Sequence, residues 1–387
     1  MKMRVCLIFI FYIIGMSFSA GQNLILGAEK DNFYIELLKG KKIGVVVNQT
    51  SQVHGKHLVD FLLSKNIDVV RIFTPEHGFR GTASAGEHVA NSKDKKSGIE
   101  IASLYGNNRK PTNEQMSGLD IVVFDIQDVG VRFYTYISTL HYVMEACAEN
   151  EVKMLILDRP NPNGDYVDGP VLREGFKSFV GMHPIPVVHG MTIGEIAKMI
   201  NGEYWLEDSL RCKVVVVRIE NYHHQASYSL PINPSPNLPN DLAIRLYPTL
   251  CLFEGTMMSV GRGTDFPFQV TGYPNSSFGS FFFTPEDKPG AENPVLEGEI
   301  CYGKDFRKLS KPPKFTLDYL IEFYNKSGQN PDFFNSYIDK LAGNDELRLQ
   351  IEAGLSEEEI RVSWIEELNN FKKIRKKYLL YPDSNNN

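Results

Sequence analysis

The residue types best suited to chemistry fall into short clusters, each just after a run of apolar residues. NQTS (48–51) follows the first run and begins with Asn48. TPEHGFRG (74–81) follows the second and carries Glu76, His77 and Arg80. Asp125, Gln127 and Asp128 follow a third, with Arg132, Tyr134 and Tyr136 close behind. Asp158, Arg159, Asn161 and Asn163 follow a fourth, and His189 a fifth. Carboxylates, amides, tyrosines and arginines gathered without a cysteine nucleophile suit the hydrolysis of a sugar. A protonated carboxyl gives its proton to the leaving oxygen, and a second group stabilises the oxocarbenium-like transition state or activates water. Asn, Gln, His and Tyr supply the hydrogen bonds that recognise hydroxyl and amide groups.

Each cluster also has a plainer reading. Glu76 alone, after a strand, is an ordinary loop residue. Asp125 and Asp158 can cap the next turn or helix, with Arg132 and Arg159 simply pairing with them. His189 can be a packing histidine. Other chemistries lack their motifs. NQTSQ stands where a dinucleotide fingerprint would place its glycines, and no G-x-x-x-x-G-K-[ST], H-E-x-x-H or G-x-S-x-G occurs. His77, His88, Asp125, Asp128 and Asp158 have the types to hold a divalent metal, but not a diagnostic spacing. Neither a metal nor a cofactor is expected.

The clusters gain meaning from the elements that must carry them. Apolar runs at 42–48, 68–73, 99–105, 120–125, 153–158, 184–188 and 211–219 read as strands, and 57–64, 134–150 and 192–201 as helices. Thr192 and Glu195 form a capping box at the start of the last. Continuous apolar strands alternating with helices predict an α/β fold with a mainly parallel sheet covered on both faces. In such a sheet ligands bind beyond the carboxyl ends of the strands, so the clusters should converge on one rim. The composition shifts near 221: four prolines fall within 231–239, and glycines recur to 273. Strands at 281–283 and 298–301 and helices at 312–328, 331–341 and 356–378 predict a second, smaller α/β domain. The domains are expected at 21–225 and 226–387.

A chain of 387 residues is long enough for two or three cored domains at roughly 100–200 residues each. The apolar fraction of 42% and charged fraction of 23% are those of a globular protein. A net charge of −6 argues against a nucleic-acid partner, which demands a basic surface. Residues 1–20 run from Lys2 and Arg4 through an apolar stretch to small residues, the order of a secretory signal peptide. Its removal predicts an exported, periplasmic or secreted protein with no stable membrane span. Cys147, Cys212, Cys251 and Cys301 would remain, widely spaced, as buried thiols or with one bridge among them.

Six motifs in order make the chain recognisable: TPEHGFRG, FDIQDVGVRFYTY (124–136), LDRPNPNG (157–164), HGMTIGE (189–195), PSPNLP (234–239) and EGTMMSVGRGTDFPF (254–268). Together they resemble the exo-β-N-acetylmuramidase family over nearly the whole chain beyond residue 20. The resemblance implies a Rossmann-like three-layer α/β/α domain and a smaller C-terminal α/β domain, with the active site in the cleft between them. It implies release of terminal β-linked N-acetylmuramic acid from peptidoglycan fragments, without a dinucleotide. Glu76 takes the place of the family's catalytic glutamate, with His77 beside it. Asp125, Asp128 and Asp158 are candidates for the second group, unless the substrate's own N-acetyl group serves. Arg132, Arg159 and Arg262 are candidates for the lactyl carboxylate. Asn48, Arg80, Gln127, Tyr134, Asn161, Asn163, His189, Asn237 and Glu254 complete the expected binding surface. The family pattern reads closer to EGTNVSEGRGT followed by PFE, so Met257, Val260 and Gln269 stand here for polar residues in a segment expected to face the cleft. A non-catalytic binder of cell-wall fragments and a metal-dependent hydrolase on the same rim are the competing readings.

Overall fold

Valine-rich runs closed by turn residues build the central sheet. The computed structural model describes residues 23–75, 78–79, 92–106 and 108–383; the proposed leader, Glu76, His77, Arg80 and His88 lie outside them. In chain order, β1 (Lys42–Val47) is followed by a small hairpin of β2 (Gln52–Val53) and β3 (Lys56–His57). Then come β4 (Asp68–Thr74), β5 (Ser92–Lys93), β6 (Glu100–Ser103), β7 (Ile121–Asp125), β8 (Lys153–Leu157), β9 (Asp168–Val171), β10 (Pro186–Val188) and β11 (Val214–Val217). Seven of them form one sheet in the order β11-β8-β7-β1-β4-β6-β5. Every neighbouring pair in it is parallel except β5 with β6.

Alternate side chains of each strand serve opposite faces. Val45, Val47, Ile121 and Val123 pack with α1 (Asp31–Leu38) and α2 (Leu58–Ser64). Val46, Val122, Phe124 and Met154 pack with α3 (Asn113–Met116), α4 (Tyr136–Glu149) and α5 (Ile193–Gly202). The result is the expected three-layer α/β/α arrangement, with the strand ends after β1, β4, β6, β7 and β8 on one edge.

Beyond residue 240 come α6 (Asp241–Leu250), β12 (Val270–Tyr273), β13 (Phe281–Phe283), β14 (Cys301–Asp305), α7 (Asp318–Lys326), α8 (Tyr337–Ala342), α9 (Glu346–Glu352) and α10 (Glu357–Arg375). These helices share one apolar cluster with α4 and α5, while the antiparallel sheet β12-β14-β13 has a small cluster of its own around Val270, Phe283 and Cys301. The chain then returns to the first sheet. Leu380 N donates to Glu195 Oε1 at 2.7 Å, and Tyr381 OH donates to Asp158 Oδ2 at 2.5 Å.

Several sequence expectations are corrected. The run at 184–188 is not part of the main sheet: β10 pairs antiparallel with β9, an element the sequence reading lacks. The helix expected from 312 starts only at Asp318, because Glu357 Oε2 accepts from Thr316 Oγ1, Leu317 N and Asp318 N and fixes its first turn. The helix expected from 331 starts at Tyr337, because 333–335 are extended against the 255–257 segment. α6, β12 and α9 were not read from the sequence. All four cysteines among the described residues are buried free thiols. No helix among the described residues is long and apolar enough to cross a membrane.

Arg132, expected to bind substrate, is instead framework. It is fully buried, and its guanidinium donates to the carbonyls of Pro170 and Ile185, both at 2.8 Å, and of Leu341 at 2.7 Å. Burial pushes its pKa down to about 9. It thus ties the loop after β7 to β9, to the residues before β10 and to α8. Arg132→Met keeps the bulk but strips three buried carbonyls of their donor. The expected cost is about 3 kcal/mol or more in urea unfolding; a loss under about 0.5 kcal/mol would contradict this role.

Candidate active site

The rim is assembled from side chains that satisfy one another. Asn48 Nδ2 donates to Tyr136 OH at 2.9 Å, while Asn48 Oδ1 accepts from Thr50 N and Thr50 Oγ1 at 2.9 and 2.6 Å. Thr50 Oγ1 accepts from Gln127 N at 3.0 Å, and Gln127 Nε2 donates to the carbonyls of Asp128 and Pro160 at 2.8 and 2.7 Å. Arg159 grips Asp125 through Nε and Nη2 at 2.6 and 2.9 Å, both residues being buried. Asn161 Nδ2 donates to Met191 O at 2.9 Å, and Asn163 Nδ2 to the carbonyls of Val129 and Ile244 at 2.9 and 3.2 Å. Gly130 is required here: its φ is +77°, and a Cβ would stand 2.0 Å from Asn161 Oδ1.

Two further carboxyls lie deep. Asp158 accepts from Thr192 Oγ1 at 2.7 Å, Gly194 N at 2.9 Å and Tyr381 OH, so it caps α5; burial pushes its pKa up to about 6. Asp128 Oδ2 accepts from Gly130 N at 2.7 Å, its Oδ1 has no partner, and burial pushes its pKa up to about 7. His189 Nδ1 accepts from Met191 N at 3.2 Å, which leaves the ring proton on Nε2, 3.9 Å from Asp128 Oδ2. Burial lowers His189 to about 3 and keeps it neutral.

In front of this framework lies a cavity of about 450 Å³. Tyr134 lines it from the rim, Asn237 from the proline-rich loop, and Glu254, Arg262 and Phe268 from the segment after α6. Tyr337 and Lys340 of α8 close the far wall, and Tyr105 and Arg109 enter from the loop after β6. An aromatic chain runs along the floor. Tyr134 meets Tyr247 edge-on at 5.9 Å, Tyr247 meets Phe268 at 4.9 Å, and the Arg262 guanidinium stands 4.9 Å over Phe268. Arg262 Nε donates to Glu254 Oε1 at 2.6 Å. Its two terminal nitrogens have no hydrogen-bond partner among the described residues, so they form a fixed fork for an anion.

Of the sequence candidates, Tyr134, Asn237, Glu254 and Arg262 line the cavity, and Asn48 sits one hydrogen bond behind, through Tyr136. Asp125, Gln127, Asp128, Arg132, Asp158, Arg159, Asn161, Asn163 and His189 are buried behind the wall. β4 ends at Thr74 on the rim, Glu76 and His77 lie outside the described residues, and Phe79 packs edge-on to His57 at 4.7 Å. Met257, Val260 and Gln269 do not line the cavity: Val260 is in the core and Gln269 Oε1 accepts from Asn240 Nδ2. The segment faces the cavity through Glu254, Arg262 and Phe268, not through these three residues. Arg109, Tyr247, Phe268, Tyr337 and Lys340 were missed as site residues. Phe268 stood within a quoted motif; Arg109 and Lys340 carry no local signal. Among the described residues, Glu145, Glu149 and Glu207 have metal-ligand spacing, but Lys110 Nζ already bonds the first two at 2.6 Å each and offsets one of their charges.

The chain and its fold match known proteins. The profile described as "Exo-beta-N-acetylmuramidase NamZ, N-terminal" matches residues 43–242, and its C-terminal counterpart matches 245–381. The chain belongs to the exo-β-N-acetylmuramidase family. By that membership it is a glycosidase. Within the family it is similar to the peptidoglycan β-N-acetylmuramidase NamZ of Bacillus subtilis, 38% identical over 90% of this chain and 89% of that one. A crystal structure of a DUF1343 family protein from Bacteroides fragilis superposes with a TM-score of 0.88 at 48% identity, covering 94% of this chain and 100% of that one. A second from the same organism gives 0.77 at 28% identity, covering 93% and 99%.

The buried Asp128 gives a pH signature. Its folded-state pKa lies above the unfolded value of about 4, so the unfolded chain releases a proton that the folded protein keeps. That stabilisation is whole below about pH 4 and is lost as pH rises through about 7. Asp128→Asn preserves the uncharged shape. Its stability relative to wild type is expected to increase between about pH 5 and pH 8; a difference independent of pH would refute the protonated carboxyl.

Proposed function

We propose that the protein is an exo-acting glycoside hydrolase that releases terminal β-linked N-acetylmuramic acid from the non-reducing ends of peptidoglycan fragments. We further propose that it works after export, in the periplasm or outside the cell, in cell-wall turnover or recycling. The observation that carries the reading is Arg262: a guanidinium with an unspent fork, fixed by Glu254 and Phe268 in the wall of the cavity of about 450 Å³. Muramic acid differs from other amino sugars by a lactyl carboxylate, and a guanidinium fork matches a carboxylate in two parallel hydrogen bonds. The chain is acidic overall at −6, yet the cavity wall carries Arg109, Arg262 and Lys340 against Glu254 alone among its described carboxylates. Local field, not overall charge, draws an anionic sugar there.

In this reading Glu76 protonates the leaving oxygen. Its assignment rests on the family motif TPEHGFRG. The amide and phenol groups of Asn237 and Tyr134 meet the polar face of the sugar, and Phe133 and Tyr247 its apolar face.

Incubation with the two disaccharide orders tests the function. Free muramic sugar is expected from N-acetylmuramic acid linked to N-acetylglucosamine, and none from the reverse order. Glu76→Gln is expected to abolish turnover while leaving the thermal midpoint unchanged; full activity in that variant would defeat the assignment. Arg262→Met is expected to raise KM by tenfold to about 100-fold, the worth of charge-assisted hydrogen bonds of about 1.5–3 kcal/mol. An unchanged KM would exclude Arg262 as the carboxylate's partner.

A further inference from the structure

The three aspartates that the sequence offers as a second catalytic group all lie behind the wall. Asp125 gives both oxygens to Arg159, and Asp158 accepts from Thr192, Gly194 and Tyr381. Asp128 is 5% exposed and turned to Gly130 N. None lines the cavity. Glu254 does, alone among described carboxylates. Its Oε1 takes Arg262 Nε at 2.6 Å, while its Oε2 meets only the Cys251 thiol at 3.4 Å, a weak donor. Oε2 therefore retains capacity for a strong donor from the cavity. A carboxylate in an ion pair accepts hydrogen bonds and gives none, so it cannot be the general acid. A 2-acetamido sugar offers one amide N–H, next to the carbon where the bond breaks.

We infer that Glu254 accepts the N–H of the substrate's 2-acetamido group and makes that acetamide the internal nucleophile. This rests on the muramidase reading. The acetamide oxygen bonds to C1 as the bond from C1 to the leaving oxygen breaks, and the general acid of that reading gives that oxygen its proton. Glu254 shares the amide proton and spreads the charge of the cyclic oxazolinium. Water then attacks C1 and gives its proton to the conjugate base of that acid. The bond between C1 and the acyl oxygen breaks, the acetamide is restored, and the β configuration is kept.

Two measurements decide it. Chromogenic β-muraminides carrying N-acetyl, N-fluoroacetyl, N-difluoroacetyl and N-trifluoroacetyl groups are compared on the wild-type protein. Activity is expected to fall at every added fluorine, since each weakens the acyl oxygen as a nucleophile. Glu254→Gln keeps an oxygen for Arg262 but places an amide where the N–H should dock. It is expected to lower kcat about 100-fold with little change in KM, and the first sugar released by wild type is expected to be the β anomer. Rates indifferent to fluorination, an α anomer formed first, or wild-type kcat in Glu254→Gln would each overturn the inference. The fluorination series keeps the test open should the variant fail to fold. Failure of the wild type to release the N-acetyl sugar at all would overturn the muramidase reading instead.

Discussion

A charge taken out of water must be paired, and the Asp125–Arg159 pair is the constraint around which this rim is organised. Desolvating two ions costs several kcal/mol each, and only close geometry with further hydrogen bonds repays it. The pair joins the end of β7 to the residue after Asp158, which follows β8. Arg159 Nη2 also reaches Gln52 O in the hairpin after β1, at 3.1 Å, and Ser51 Oγ donates to the Asp125 carbonyl. Three strand ends are thus locked to one another. The loop after β7, which leaves from Asp125, can then place Tyr134 and Tyr136 where they meet the Pro234 carbonyl and carry the cavity floor.

This explains a division of labour within the polar clusters. Most of their members hold the loops; few face the cavity. The buried amides of Asn161 and Asn163 donate to carbonyls, as the terminal nitrogens of Arg132 do, because irregular backbone below the surface needs partners for its polar groups. The cavity itself takes most of its charged groups from farther along the chain, in Glu254, Arg262 and Lys340, with Arg109 from the loop after β6. Rim and later helices are joined behind it, through Arg132 and the shared apolar cluster.

The sequence revealed the sheet because buried parallel strands are continuous apolar runs, and 42–48, 120–125 and 153–158 nearly coincide with β1, β7 and β8. It misled at 184–188, where an apolar run of the same character pairs antiparallel with β9 outside the sheet; periodicity does not report a strand's partner. α6 was invisible because prolines crowd its approach and Pro248 lies inside it, while its start depends on Asn240 Oδ1 accepting from Ala243 N. The site was legible as a set of residue types. Which of them face the cavity was not, since burial of Asp125 or Asp158 depends on partners such as Arg159 and Tyr381 that no local pattern announces. Arg109 and Lys340 were beyond reach for the same reason: their role comes from tertiary position alone.

The return of the last residues to the first sheet has a temporal consequence. Synthesis runs from the N-terminus, and domains commonly fold in that order as they emerge. Here Asp158 and Glu195, which sit at the heart of the first unit, wait for Tyr381 and Leu380. Until those residues leave the ribosome the first unit holds a buried carboxyl short of a donor. The 380–381 segment therefore acts as a closing pin: the first unit is completed only once residues 185 positions beyond Glu195 have joined it.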